Sequence, residues 1–286
     1  MIKPDAIQHL GKIVHAVQKA GFTIGALRMC QLSAAEARAF YHEHAGRPYF
    51  DKLVAFISSG RVLAMELVAP GAVARWRALL GPTDSNQARA EAPNSIRAHF
   101  GTDKSFNAAH GSDAAHTAAA ELDFFFGAGR ASVGRCALCR GTTLAILKPS
   151  TLRDGVAGLA LDVIMDRFAV TAATLLSLNH ITAGELMEVY KGVLAPGELS
   201  AMLEEVTSGP CLALEVADKS GAPSSDVVGR FRELVGPVDP DVGRILRPKC
   251  LRAMFGTDKV RNGVHCTDLP EDGELEVTYV FSVLAK

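Results

Sequence analysis

Near the start of the chain, apolar residues recur three or four positions apart, as on one face of an amphipathic helix: Ile7, Leu10, Ile13, Val14 and Val17. Gly21 follows at the position of a helix C-cap. Residues 22–32 predict a strand, and Ser33-x-x-Glu36 has the residues of a capping box that opens the next helix. Thr182-x-x-Glu185 predicts a second box further on.

The alternation of strand and helix continues. The pattern predicts a strand over 62–68, a helix over 71–80 and a short strand over 106–109, after which Ser112 or Asp113 caps a helix through Phe126. Such an α+β alternation is satisfied most simply by a small antiparallel sheet with helices on one face, which is the ferredoxin-like (βαββαβ) arrangement.

The chain contains this pattern twice. The segment 100–104 returns 155 positions later as 255–259, with the sequence Phe-Gly-Thr-Asp-Lys in both places. The offset is only 145 at Lys3 and Lys148, and it is 149 at Tyr41 and Tyr190. We therefore predict two copies of one domain, 1–127 and 142–286, joined by a linker over 128–141. The second copy carries insertions before Tyr190 and within 218–226.

The two copies differ at their first strand. Residues 142–147 predict a strand that leads into Lys148, whereas only Met1 and Ile2 precede Lys3. We therefore expect the first domain to lack most of this strand, and we expect an upstream domain in the complete protein.

Composition narrows the class of protein. Of the 286 residues, 48% are hydrophobic and 21% are charged, and the net charge is −1, as is typical of a folded soluble protein. The balanced charge argues against a nucleic-acid partner, and no apolar run approaches the roughly 20 residues of a membrane span. We expect a cytoplasmic protein without nucleic-acid or membrane partners.

The six cysteines occupy unrelated positions in the two copies, which argues against a duplicated disulfide framework. Cys136 and Cys139 form the one close pair, and no second pair stands at zinc-site spacing. We interpret them as linker residues, and the sequence predicts no metal ligand.

Cationic residues are dispersed along the first copy, in regions that the duplication retained: Lys3, Arg77 and Arg97. Dispersed cations suit phosphoryl transfer, because negative charge spreads over the phosphate oxygens during that reaction. A histidine can act as the nucleophile and carry the phosphate between two half-reactions.

Several motifs in this order resemble the signatures of nucleoside diphosphate kinase: Lys3-Pro4-Asp5, Arg47-Pro48-Tyr49-Phe50, Ser95-Ile96-Arg97 and Asn107-x-x-His110-Gly111-Ser112-Asp113. The resemblance covers nearly the whole chain, twice. It implies nucleoside di- and triphosphates as ligands and Mg²⁺ as a cofactor, held chiefly by the nucleotide phosphates.

The resemblance also implies a role for each matching residue of the first copy. His110 would be the phosphorylated nucleophile, and Glu121 would orient its ring. Tyr49 would stack on the base, and Asn107 would hold the sugar hydroxyl. The remaining residues would contact phosphates: Lys3, Tyr41, Arg77, Thr83 and Arg97.

The second copy retains most of the matching residues: Lys148, Tyr190, Arg232, Arg252, Asn262, His265 and Glu276. It departs from the pattern at Ser150, Glu198, Val238 and Cys266, which replace the aspartate, the stacking aromatic, the threonine and the glycine after the histidine. Loss of a stacking ring alone costs about 1–3 kcal/mol. We therefore expect the second site to be weak or inactive, with His265 as its counterpart of the nucleophile.

Two such copies in one chain resemble the tandem-domain nucleoside diphosphate kinases of cilia and flagella. This resemblance implies an axonemal location in the cytoskeleton, with tubulin or microtubules and other axonemal proteins as partners. Two hypotheses remain open: an enzyme that transfers a terminal phosphate between nucleotides, and a structural microtubule inner protein with vestigial kinase pockets. The sequence leaves nucleotide preference and oligomeric state open.

Overall fold

The computed structural model describes residues 1–127, 134, 136–219 and 226–285. Its contacts divide the chain into two compact units, Met1–Cys136 and Ala137–Lys286. Most of the predicted linker's first half and most of the second insertion, residues 220–225, lie outside the described residues.

The first unit contains an antiparallel strand pair, β1 and β2. Ile2 forms two further isolated bridges, one on each side of itself. Ile2 pairs with Leu63 of β2 and with Ala109, so it lies between β2 and the segment that leads to His110. The elements are β1 Thr23–Cys30, β2 Val62–Val68, α1 Leu10–Lys19, α2 Ala34–Phe40, α3 Phe50–Ser58, α4 Ala72–Leu80, α5 Ser85–Glu91, α6 Ile96–Phe100, α7 Ala115–Phe126 and the 3₁₀ helices Pro4–His9 and His42–His44.

The second unit contains an antiparallel sheet with the strand order β4-β5-β3-β6. Its elements are β3 Thr142–Leu147, β4 Phe168–Leu176, β5 Cys211–Asp218, β6 Val264–Cys266, α8 Pro149–Arg153, α9 Ala157–Arg167, α10 His180–Leu186, α11 Pro196–Thr207, α12 Val227–Val235, α13 Pro240–Leu246, α14 Leu251–Phe255, α15 Gly273–Thr278, the 3₁₀ helices Glu188–Tyr190 and Pro270–Asp272 and the π-helical segment Tyr279–Leu284. The chain therefore has the predicted α+β, ferredoxin-like (βαββαβ) fold.

The two units share one strand register. Leu147 pairs with Leu212 and Val264, and these are the duplicated counterparts of Ile2, Leu63 and Ala109. The residue after Ala109 is His110, and the residue after Val264 is His265. The fold therefore delivers both histidines to equivalent positions.

Both units also interrupt the ladder at one equivalent place, between Ile24 and Ala26 and between Val170 and Ala172. The offset there is 146, so one inserted residue precedes the irregularity and three follow it before Tyr190. In the first unit a Cβ at Gly25 would lie 2.5 Å from Glu66 Oε2. Glycine thus leaves room for a carboxylate beside the bulge.

The core follows the predicted apolar faces. Leu10, Ile13, Val14 and Val17 of α1 are buried, and Gly21 has the predicted positive φ, at +76°. The first turns of this helix are 3₁₀ rather than α. No helix in the described ranges is both long and apolar enough to cross a membrane.

One of the predicted helix caps is confirmed, and the others are wrong. Ser33 and Glu36 form both bonds of the predicted capping box. The prediction for Thr182 was wrong, because Asn179 is the N-cap of α10 and Thr182 stands at its third position. The cap predicted at Ser112 or Asp113 was also wrong: α7 begins after Ala114 because Ser112 donates to Glu121 and Asp113 accepts from Thr117. The strand predicted over 106–109 is reduced to the bridge at Ala109.

Candidate active site

His110 is held from several directions in the first unit. Its Nε2 lies 2.8 Å from both carboxylate oxygens of Glu121 on α7, and Ser112 Oγ donates to Glu121 Oε2 at 2.8 Å. Phe40 and Tyr41 present their rings edge-on to the imidazole, at centroid distances of 5.5 and 5.7 Å. The ring therefore has a fixed orientation.

The electrostatics of this pair favour one tautomer. Burial lowers the pKa of His110 below its ordinary value, although Glu121 acts in the opposite direction. Burial acts to raise the pKa of Glu121, but the hydrogen bonds with His110 and Ser112 outweigh it and hold that pKa low. A neutral ring beside a carboxylate carries its proton on Nε2, so the lone pair lies on Nδ1.

Lys3 and Asn107 form a buried polar pair close to this histidine. Lys3 Nζ donates to Asn107 Oδ1 at 2.6 Å, and Asn107 Nδ2 donates to the Thr83 carbonyl at 3.0 Å. Burial lowers the pKa of Lys3 to about 8, with Asp5 opposing the shift. Asp5 Oδ2 also accepts from the Ala108 amide at 3.0 Å, so the Lys-Pro-Asp motif is tied to the loop that carries His110.

Two arginines approach each other on the same side. Arg97 donates to the carbonyls of Gly81 and Ala109, at 2.9 and 3.0 Å. Burial lowers the pKa of Arg97, and the charge of Arg77 lowers it further. Arg77 itself is exposed, as is Thr83. An anion between the two guanidinium groups would relieve their repulsion.

Two tyrosines complete the set. Tyr41 is buried, and its hydroxyl has no hydrogen-bond partner within the described ranges. Tyr49 is 49% exposed, and its hydroxyl lies 3.1 Å from His44 Nδ1, whose ring is 5.7 Å from that of Tyr41. The first-copy candidates thus lie together around His110, while their individual roles stay predictions.

Two side chains at this site were not anticipated from the sequence: Phe40 and Trp76. Trp76 Nε1 donates to the His110 carbonyl at 3.3 Å. Ser112 did carry a sequence signal, as part of the motif that contains His110, but it was predicted as a helix cap rather than as a partner of Glu121. Phe40 gave no such signal, since its contact with His110 depends on the tertiary fold.

A cavity of about 120 Å³ reaches His110 and Glu121 from the side of β2, α4 and α7. Apolar side chains such as Leu67, Val73, Trp76 and Phe126 dominate its lining. In the second unit β3 covers the equivalent edge of β5. An apolar lining does not suit phosphate, so the cations on the Arg97 side are the better phosphate site.

The second unit surrounds its histidine differently. His265 is fully buried, and neither ring nitrogen has a hydrogen-bond partner among the residues described. Burial lowers its pKa to about 3, and the charges of Lys148 and Arg252 act in the same direction. Glu276 accepts from Thr267 Oγ1 at 2.7 Å and forms no bond with His265. Glu276, the counterpart of Glu121, therefore does not orient the ring of His265.

The cations of the second unit are engaged internally. Arg252 donates to the Gly236 and Val264 carbonyls and to the Tyr190 hydroxyl, the last at 2.8 Å. Lys148 is fully buried, its pKa is lowered to about 7 by burial, and its Nζ donates to the Val260 carbonyl at 3.2 Å.

In the second unit, side chains at the positions of the first copy's nucleotide-binding candidates pair with other side chains of the same unit. Arg232 forms an ion pair with Asp268, and Lys259 lies 3.4 Å from Glu198, the residue at the position of Tyr49. Asn262 Nδ2 donates to the Val238 carbonyl at 3.3 Å, but Asn262 Oδ1 lacks the lysine bond seen at Asn107. The second unit thus retains most of the matching residues, but these residues have different bonding partners.

The described part of the chain contains no group of three or more His, Cys, Asp or Glu side chains that could hold a metal. Neither Cys136 nor Cys139 forms a disulfide, and Cys136 Sγ donates to the Met29 carbonyl at 3.4 Å.

Comparison with known proteins identifies relatives of both units. The model of the family "Nucleoside diphosphate kinase" matches residues 1–130 and 141–284. "Nucleoside diphosphate kinase homolog 7" from Rattus norvegicus is 45% identical over 99% of this chain and 70% of that protein, and the Mus musculus protein is 44% identical over the same shares. A crystal structure of the Aquifex aeolicus nucleoside diphosphate kinase is 48% identical, covers 44% of this chain and 90% of that chain, and has a TM-score of 0.43.

Proposed function

This chain belongs to the nucleoside diphosphate kinase family, and we propose that its first unit transfers the terminal phosphate of a nucleoside triphosphate to a nucleoside diphosphate through phosphorylated His110. The observation that carries this proposal is the bond between His110 Nε2 and Glu121, which leaves the Nδ1 lone pair available for attack. The neighbouring cations and hydroxyls supply the binding site for phosphates.

Each half-reaction is a displacement at phosphorus. Nδ1 of His110 forms a bond to the terminal phosphorus while the bond from that phosphorus to the bridging oxygen breaks, and the nucleoside diphosphate leaves. The proton on Nε2 stays in its hydrogen bond to Glu121, whose charge stabilises the positive charge that develops on the ring. A terminal phosphate oxygen of the acceptor then attacks the same phosphorus, and the nitrogen–phosphorus bond breaks.

The surrounding residues bind and position the nucleotide. Lys3, Arg77 and Arg97 would contact phosphate oxygens, with the hydroxyls of Tyr41 and Thr83. The Tyr41 hydroxyl has no partner of its own among the described residues, and a phosphate oxygen would supply one. Tyr49 would stack on the base, and Asn107 would bind the sugar hydroxyl.

We propose Mg²⁺ as the cofactor, held by the nucleotide phosphates. Mg²⁺ often takes few protein ligands when phosphates are present, so this arrangement requires no carboxylate cluster from the chain. Bound Mg²⁺ would neutralise part of the phosphate charge.

We propose that the second unit is weak or inactive in phosphate transfer. His265 is buried without a hydrogen bond, and Arg232 and Lys259 are paired with Asp268 and Glu198. A nucleotide would have to break these pairs and would find no aromatic platform at Glu198.

For the whole protein we propose an axonemal location, with tubulin and other axonemal proteins as partners. The support is the tandem organisation of two family domains in one chain. A mainly structural role in microtubules is the second candidate, and the closed site of the second unit favours it.

Phosphohistidine mapping after incubation with γ-labelled ATP tests the enzymatic proposal. We expect label on His110, none on His265, and loss of phosphate exchange in His110→Asn but not in the matched variant His265→Asn. Retained exchange in His110→Asn would refute the mechanism, and equal labelling of both histidines would refute the asymmetry. For His110→Asn, a purely structural role predicts normal axonemal assembly and no loss of function, whereas an enzymatic role predicts loss of phosphate exchange with assembly intact.

A further inference from the structure

Helices α13 and α14 of the second unit expose a joint apolar surface. Val242, Ile245 and Leu246 follow helical spacing on α13, and Met254 projects from α14. Ile245 is 81% exposed and Leu246 is 69% exposed. The two helices pack closely, because a Cβ at Gly243 would lie 3.3 Å from the Ala253 Cβ. We call these four exposed residues the α13–α14 patch.

The patch has a basic border. No carboxylate occurs between Val242 and Thr257, whereas Arg244, Arg247 and Lys249 occur there and are exposed. Arg244 is engaged, because it pairs with Asp241 and donates to the Gly256 carbonyl. The side chains of Arg247 and Lys249 make no ion pair or hydrogen bond with the described part of the chain. Two cations therefore remain available beside the apolar residues.

The first unit provides an internal comparison. At the positions equivalent to the patch it carries Gln87, Ala90, Glu91 and His99, which are all exposed. Ala92 and Asn94 stand in place of the two available cations. The same exposed positions are thus polar in the first unit but apolar and basic in the second unit. The fold itself therefore does not require the patch.

We propose that the α13–α14 patch is a docking surface for a partner protein segment whose apolar side chains are flanked by carboxylates, as on an acidic amphipathic helix. Exposed apolar clusters with a polar border mark interaction sites. Arg247 and Lys249 supply the charge complementarity that selects acidic residues beside the apolar contact.

Two other occupants fit the chemistry less well. A symmetric contact with a second copy would bring the same basic border from each side together. A lipid surface is typically bound by clusters of roughly four to eight cations, whereas this patch offers two that are unpaired.

The test uses the full chain and a synthetic Glu/Leu amphipathic helix of 16 residues as the probe, with a scrambled peptide of the same composition as the control. We expect fluorescence anisotropy to detect binding of the amphipathic peptide alone. Ile245→Ala with Leu246→Glu, which installs the first unit's residues, should weaken binding by about tenfold or more. Arg247→Ala with Lys249→Asn should weaken it and flatten its dependence on salt.

Matched variants distinguish the patch from a general effect. Ala90→Ile with Glu91→Leu makes the reverse exchange in the first unit without adding cations, and it should not create a second site of equal affinity. Unchanged melting temperature of each variant would exclude unfolding as the cause of a loss.

Four outcomes would overturn the proposal: equal binding of the scrambled peptide, no effect of the patch variants, a concentration-dependent dimer that Leu246→Glu abolishes, and patch-dependent binding to phosphatidylserine vesicles without peptide binding.

Discussion

His110 and His265 occupy equivalent positions, yet their ring nitrogens meet opposite surroundings. Nε2 of His110 lies against Glu121, whereas both nitrogens of His265 are buried without a partner in the described ranges. The difference at the residue scale is therefore one of bonding partners, since the glutamate is present in both copies.

We predict that Glu121→Gln slows phosphorylation of His110 by roughly 10²-fold, which is the usual scale for removing one positioned electrostatic partner. The amide keeps a hydrogen bond to Nε2 but loses the charge that stabilises the developing imidazolium. Rapid-quench measurement of labelled enzyme checks this. Glu276→Gln is the matched control, and an equal slowing in that variant would contradict the assignment.

The pH dependence of the same step follows from the direction of the pKa shift. Attack requires a neutral ring, so the rate falls as the pH drops through the pKa of His110, which burial holds below about 6.5. Glu121→Gln removes a contribution that raises this pKa, so the acidic limb of the single-turnover rate should move to lower pH. A limb that stays in place would show that another group titrates.

His265 leads to a prediction about stability. Its pKa is about 3 in the folded protein and about 6.5 when unfolded, so the unfolded state binds the extra proton between these values. Stability present above pH 6.5 is lost as the pH falls, by roughly 2–3 kcal/mol between pH 6.5 and 4.5. We expect His265→Leu to remove this loss in chemical denaturation. His180→Leu, which removes an exposed histidine, is the matched control for this substitution.

Side-chain identities at the first site could be predicted from motif spacing, but the changed partners in the second could not. Arg232 and Asp268 have counterparts in Arg77 and Asp113, and the latter two form no ion pair. Thr117 donates to Asp113, whereas the corresponding residue of the second unit is Asp272, which offers no proton. The two units thus differ beside this pair at a residue that lies outside every motif.

At the scale of elements, paired substitutions keep the fold constant. A Cβ at Gly111 would lie 2.6 Å from Trp76 Nε1, so the first unit requires glycine after the histidine. The second unit has Cys266 at that position and the smaller Phe231 in place of the tryptophan. The helix carrying the aromatic residue and the strand carrying the histidine have therefore changed together.

We predict that Gly111→Cys alone destabilises the first unit by about 1–3 kcal/mol through overpacking. Adding Trp76→Phe should recover at least half of the loss, since it restores the combination found in the second unit. A double-mutant cycle in urea measures this coupling. Additive effects of the two substitutions would contradict the proposed contact.

Capping shows which element boundaries the sequence could supply. Ser33-x-x-Glu36 was recognisable because both halves of the box are side chains at fixed spacing. The boundary at α10 was missed because Asn179, three residues before Thr182, caps the helix through its side-chain Oδ1, which accepts from the amides of Ile181 and Thr182. The sequence offered both Asn179 and Thr182 as capping side chains, and their spacing alone did not decide between them.

At the scale of the molecule, one chain carries an open and a closed version of the same site. The duplication was visible from the sequence because backbone-defining motifs recur at fixed offsets. The closed state was only partly visible, through the lost aromatic residue at Glu198. The bond between Glu198 and Lys259 became apparent only in three dimensions.

We predict that equilibrium dialysis with ADP finds one nucleotide bound per chain. The first unit alone should then gain stability from ligand, by about 2.7 kcal/mol at a concentration 100 times the dissociation constant. Differential scanning calorimetry of wild type and of His110→Asn, each with and without ADP, would measure this gain in stability. Two nucleotides per chain of similar affinity would contradict the closure of the second unit.

The exchange of Gly111 and Trp76 for Cys266 and Phe231 also constrains how the second copy can change in future. By analogy with the close approach of Gly111 to Trp76, we expect a glycine at position 266 to leave space beside Phe231, and a tryptophan at position 231 to meet the side chain of Cys266. Each single reversal is therefore expected to cost stability. Selection for stability would therefore oppose a stepwise return of the second copy to the residue pair of the first copy.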